Sequence, residues 1–116
     1  MSMIIFPRNT TKFQATDNLE EIVESLKELD ITVQFILKET VEFFDSKDVV
    51  IRIVGRATYQ DYLLQCDLLQ DSNTLEFVGD KLSVKEYDKL ESLIATKFTM
   101  ISSERQEGGG SESTLF

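Results

Sequence analysis

The longest periodic series of hydrophobic positions runs Leu19, Ile22, Leu26, Leu29, Val33, Ile36 and Phe43, spaced alternately by three and four, with only Thr40 interrupting it. Val23, Leu37 and Phe44 widen the stripe, and no Gly or Pro occurs between Pro7 and Gly55. Asp17-Asn18-Leu19-Glu20 has the form of a capping box, an N-cap oxygen followed three residues on by a carboxylate. One heptad phase held over about 26 residues predicts a long amphipathic helix of about 40 Å. A second reading competes within it. Ile31-Thr32-Val33-Gln34-Phe35 alternates and is rich in β-branched residues, as a strand from Ile31 to Leu37 would be, with the helix ending near Leu29. Unbroken phase favours the helix; the lack of Ala and the poor propensity of 31–33 favour the strand. The helix is the reading carried forward.

The other segments are shorter. Met3–Phe6 is an apolar run that Pro7, having no amide proton, ends as an edge strand. Asp45-Ser46-Lys47-Asp48 is a turn cluster, and Val49–Val54 reads as a strand. Gly55 marks a bulge or tight bend. Tyr59–Leu69 alternates in part: Tyr62, Leu64, Cys66 and Leu68 share one side, while Leu63 and Leu69 make the other partly apolar too. Gln70–Asn73 is a hairpin turn, Thr74–Val78 a third strand, and Gly79-Asp80 closes it. Ser83-Val84-Lys85-Glu86 is a second capping box, and Tyr87, Leu90, Leu93, Ile94 and Phe98 mark one face of a helix over about 84–99.

These elements predict one α+β domain over residues 1–101: a long N-terminal amphipathic helix, a three-stranded antiparallel sheet and a C-terminal helix, both helices lying on one sheet face. Residues 102–116, polar and glycine-rich, are predicted to be a disordered tail. The long helix outruns a three-stranded sheet. Its surplus stripe, Leu26, Leu29, Val33, Ile36 and Phe43 flanked by Glu24 and Glu28, is predicted to meet a second copy or another protein.

Charge sharpens that expectation. The net charge is −9, from 21 acids and 12 bases, which opposes direct nucleic-acid binding because such binding draws on Lys and Arg. Residues 18–45 carry −6 of it, so the helix with the surplus apolar stripe is also the most acidic element and suits a basic partner. The longest apolar windows fall far short of a membrane span, and MSMIIFPRN lacks the form of a signal peptide. With a single cysteine, the chain reads as cytoplasmic.

Catalytic chemistry finds little support. Histidine is absent, and one cysteine without it cannot anchor a typical zinc site, so no metal or cofactor is expected. Cys66, among leucines and without a neighbouring base, reads as a buried structural thiol. Glu20, Glu21, Glu24 and Glu28 read as a solvated helix face, and Asp71-Ser72-Asn73 lacks the glycine and distal glutamate of a calcium loop. Gly108–Gly110 follows no strand and opens no helix, so it is no phosphate cradle. Arg52, Arg56, Lys47 and Lys81 make at most a small basic patch. Asn9-Thr10-Thr11 matches a glycosylation acceptor by chance in such a chain.

The C-terminal segment GGGSESTLF sets Leu115 and Phe116 after a flexible spacer. Thr114-Leu115-Phe116 resembles a PDZ-type ligand, with Thr two places before a hydrophobic end. Ser113–Phe116 resembles the end of sliding-clamp-binding peptides, although Glu112 stands where those carry Gln. Each resemblance covers three or four residues and implies docking through Leu115 and Phe116. The sequence therefore predicts a non-enzymatic protein–protein interaction module, an adaptor, assembly factor or inhibitor, in a homo-oligomer or hetero-complex. The alternative is a small accessory subunit of an enzyme complex, replication-related, whose Leu-Phe tail recruits a partner.

Overall fold

The computed structural model describes residues 8–42, 49–70 and 72–106. They form β1 (Arg8–Gln14), α1 (Leu19–Lys27), β2 (Ile31–Glu42), β3 (Val49–Tyr59), β4 (Tyr62–Leu69), β5 (Thr74–Gly79), α2 (Val84–Ile94) and β6 (Thr99–Gln106). The strands make one six-stranded antiparallel sheet in the order β2-β3-β4-β5-β1-β6. β2 to β5 are successive neighbours. The α1 connection carries the chain from β1 across to the far edge, and the α2 connection carries it from β5 over β1 to β6.

The long N-terminal helix and the three-stranded sheet are both overturned. α1 spans nine residues and stops where Asp30 takes a left-handed conformation (φ 63°), which Asp tolerates better than most residues. Beyond it Ile31 and Val33 are buried at every second position, and Phe35 is half-buried, as the strand reading required. The heptad phase survived by coincidence. Ile36 is the extra residue of a β-bulge, since Phe35 pairs with Gly55 and Leu37 with Val54, so the strand shifts phase where a helix would have kept it. α1 is capped one residue later than expected: the Asn18 side chain accepts from the Glu21 amide at 2.9 Å. The box at Ser83 and Glu86 forms as read, but α2 ends at Ile94.

β1 and β6 had no sequence counterpart. The inward side chains of β1 are Asn9, Thr11 and Phe13, two of them polar, so no hydrophobic alternation announces it. Asn9 is fully buried and donates to the Gly79 and Leu82 carbonyls at 2.9 and 3.0 Å, which removes it as a glycosylation acceptor in the folded protein. β6 includes residues 102–106, which the sequence had assigned to the disordered tail. Residues 3–7, Phe43, the 45–48 turn, Leu115 and Phe116 lie outside the described residues.

One core lies between the sheet and the helices. Ile22 and Leu26 of α1 and Tyr87, Leu90 and Ile94 of α2 pack with Phe13, Ile31, Val33, Ile53, Ala57, Leu64, Cys66, Leu68, Leu75 and Phe77 of the strands. Both helices therefore cover the same face, and the other face has no layer upon it among the described residues.

Candidate interaction face

Strand alternation sends Arg52, Val54, Arg56 and Thr58 of β3, and Leu63, Gln65, Asp67 and Leu69 of β4, to the helix-free face. In an antiparallel sheet solvated on one side these positions are normally polar. Here Leu63 is 55% exposed, Ile36 51% and Leu37 50%. Ile36, Val54, Gly55, Arg56, Leu63 and Gln65 line a shallow open groove of about 320 Å³, and Leu37, the register partner of Val54, borders it. The bulge puts two consecutive apolar side chains, Ile36 and Leu37, beside the groove. Arg56 is exposed at its rim and makes no ion pair among the described residues.

A buried carboxylate holds this part of the sheet. Asp67 is 1% exposed and accepts from Gln65 Nε2 at 2.7 Å, the Gly55 amide at 3.2 Å and Arg52 Nη1 at 3.3 Å. The Gly55 amide therefore bonds a side chain where β3 and β4 lack ladder partners, between the pairs Ile53–Leu68 and Arg56–Gln65. A Cβ at Gly55 would sit 2.5 Å from the Cys66 carbonyl oxygen and 2.7 Å from Phe35 Cδ1, so only glycine fits there. Gly55 was read as a bulge or bend; the extra residue lies opposite it on β2.

The second polar cluster fastens β6 to α2. Arg105 donates to Asp88 through Nε at 3.1 Å and Nη2 at 2.8 Å, lies 2.9 Å from Glu91 Oε2, and sits 4.6 Å above the Tyr87 ring. Glu91 also accepts from Thr11 at 2.6 Å and from Ser103. Tyr87 donates from its hydroxyl towards Thr11 Oγ1 and the Phe77 carbonyl. Burial pushes the Tyr87 phenol up to about 12, against the lowering effect of Thr11 and Arg105. Partial burial would raise the Glu91 carboxyl, but hydrogen bonds from Ser103, Thr11 and Arg105 outweigh it and hold it below its ordinary 4.5. Burial alone would lower Arg105, yet Glu91 and Asp88 raise it above its ordinary value. Glu91 is thus ionised, both acids are engaged, and the phenol is neutral: the cluster joins strands to a helix and presents no free base.

The remaining features are chemically plain. A larger open cleft, about 670 Å³, lies at the other end of the sheet between Ala15, Asp17, Leu19, Glu20, Leu68, Gln70 and Asn73. Its Asn18 wall is committed to capping α1. Burial, then the charge of Asp67, pushes the Cys66 thiol well above 9.0, so it is a protonated core side chain. Among the described residues no group of three or more His, Cys, Asp or Glu side chains is placed to hold a metal. No helix among them is long and apolar enough to cross a membrane.

The expected docking stripe is dispersed. Leu26 and Val33 are buried in the core, and Leu29 packs against its rim, so these have little or no surface to offer. Glu24 is exposed on α1 and Glu28 at its C-cap, and Glu28 pairs with Lys97. Ile36 alone of that stripe lies in the groove; Phe43, Leu115 and Phe116 are outside the described residues. Sequence reading did not single out Leu37, Val54 or Leu63 as a site. The available signal was Leu63 and Leu69 on the outward side of an alternating strand. No family model, no curated protein and no solved structure matches this chain.

Proposed function

We propose that this chain is a non-enzymatic protein–protein interaction module that docks through the groove on the helix-free face, between β2, β3 and β4. The carrying observation is that Ile36 and Leu63, each more than half exposed, line one groove, with Leu37, half exposed, beside it as the register partner of Val54. The contact is an apolar centre with a polar rim of Arg56 and Gln65, the usual anatomy of an interface. The net charge of −9 and the exposed Glu20, Glu21, Glu24 and Glu28 give the molecule a negative field that speeds encounter with a basic protein. This replaces docking along a helical seam. The polar clusters add no support for catalysis, since Asp67 and Glu91 are each engaged by three donors.

Affinity capture from the source cells, compared between the wild type and two variants, tests the reading. Leu63→Glu places a charge in the groove, and Lys85→Glu changes an exposed position on α2. The expected result is a partner retained by the wild type and by Lys85→Glu, and lost with Leu63→Glu at unchanged melting temperature. Equal retention by all three refutes docking at the groove.

A further inference from the structure

We propose that the β2 edge joins a second copy of this chain, antiparallel and centred on Thr40, so that two sheets continue as one. Among the described residues β2 pairs only with β3 and forms one edge of the sheet. Past the bulge at Ile36 the strand is regular, Leu37 to Glu42 pairing in step with Val54 to Val49. Leu37, Lys38, Glu39 and Thr40 are all exposed, and neither Lys38 nor Glu39 has an ion pair among the described residues. An exposed run of regular edge strand is a template for another strand.

Sequence decides which strand fits. When two sheets continue across a two-fold axis normal to them, opposed residues share a face, so the axis passes through one residue of each strand. With the axis at Thr40, Lys38 lies opposite Glu42 of the second copy, and Glu42 opposite Lys38 of the second copy. Thr40 meets Thr40, and Glu39 lies opposite Val41. Opposite charges and Thr–Thr pairs both favour an antiparallel pairing. Other centres are worse. Lys38 at the axis opposes two lysines, Glu39 opposes two glutamates, and Leu37 draws the bulge into the seam. Val41 at the axis leaves Lys38 with no acid opposite it. The segment is therefore complementary to itself in one register. This pairing uses the strand edge and not the groove on the sheet face, so it stands or falls separately from the proposed function.

Sedimentation equilibrium over a micromolar-to-millimolar series, with charge reversal, tests it. The wild type is expected to dimerise. Lys38→Glu sets like charges opposite each other twice and weakens the dimer about tenfold. The double variant Lys38→Glu with Glu42→Lys restores it. Opposed Cα atoms in such a pair lie about 4.5–5.5 Å apart, within disulfide range. Oxidised Thr40→Cys should therefore give a covalent dimer, while Thr96→Cys, exposed beyond α2, should not; Cys66 is buried in both. A wild type that stays monomeric throughout overturns the proposal. So does a weakened dimer that the double variant fails to restore, or a Thr40→Cys protein that does not cross-link.

Discussion

Removing the Asp67 carboxylate probes the framework beneath the groove. Asp67 is buried, and its carboxylate is the acceptor for the Gly55 amide, Gln65 and Arg52. In Asp67→Ala, Gln65 and Arg52 turn to water, because Gln65 is exposed and Arg52 is 36% exposed. The Gly55 amide is buried and has no such recourse. An orphaned buried donor costs about 1–3 kcal/mol, and the small cavity adds to that, so a loss of about 2–4 kcal/mol is expected. For a chain of this size each kcal/mol lowers the melting temperature by about 3–5 °C. Asp67→Asn retains an oxygen for the Gly55 amide, but its Nδ2 cannot accept from Gln65 and Arg52, which turn to water as in the alanine variant, and the charge opposite Arg52 is lost. Because that arginine is partly in water, its attraction is screened, and Asn is expected to cost about 1–2 kcal/mol. Urea denaturation of the three proteins at one pH measures the order wild type, Asn, Ala. A loss below about 0.5 kcal/mol for Asp67→Ala would refute the assignment of Asp67 as the cap on Gly55.

Three further outcomes follow from the packing and the titrating groups. Gly55→Ala forces a methyl against the Cys66 carbonyl and the Phe35 ring, neither free to withdraw, and should lower stability by about 1–3 kcal/mol in calorimetry. The folded-state pKa of Glu91 lies below 4.5, so its contribution is present above the unfolded value and lost as pH falls through the lower folded one. Glu91→Gln should therefore be less stable than wild type at pH 7, with the gap closing as pH falls below about 4.5, as paired denaturation curves would register. Cys66 should resist a thiol-specific chromogenic reagent in the native protein and react at the rate of unfolding; immediate reaction would mean that the thiol is not buried.

Legibility of the fold in the sequence followed local chemistry. The Ser83 box announced α2, and Val49–Val54 announced β3, because capping and β-branched runs are read over a few residues. The stretch from Leu19 to Phe44 misled because a short helix, a left-handed Asp30 and a bulged strand together kept a heptad spacing. The alternation of Ile31, Val33 and Phe35 was the stronger signal, being supported by β-branched side chains that helices disfavour. β1 was illegible because its inward Asn9 and Thr11 are held by tertiary partners, the Gly79 and Leu82 carbonyls and the Glu91 carboxylate, that no local pattern shows. β6 was illegible because an edge strand held by its ladder with β1 and by Arg105 needs no buried apolar face. Of the candidate site, the sequence named Ile36 as part of a helical stripe, and the structure places it at a strand bulge instead. Leu63 was visible as an outward leucine, but only the folded sheet brought it to the same groove as Val54 and Ile36.

Amide hydrogen exchange of this chain, alone and bound to the partner that Leu63→Glu fails to retain, tests the central claim most directly. Docking in the groove predicts slowed exchange on binding within residues 34–38, 52–56 and 63–67, with α1 unchanged. Protection confined to α1, with those three segments exchanging as in the free protein, would contradict it and return the docking site to the acidic helix.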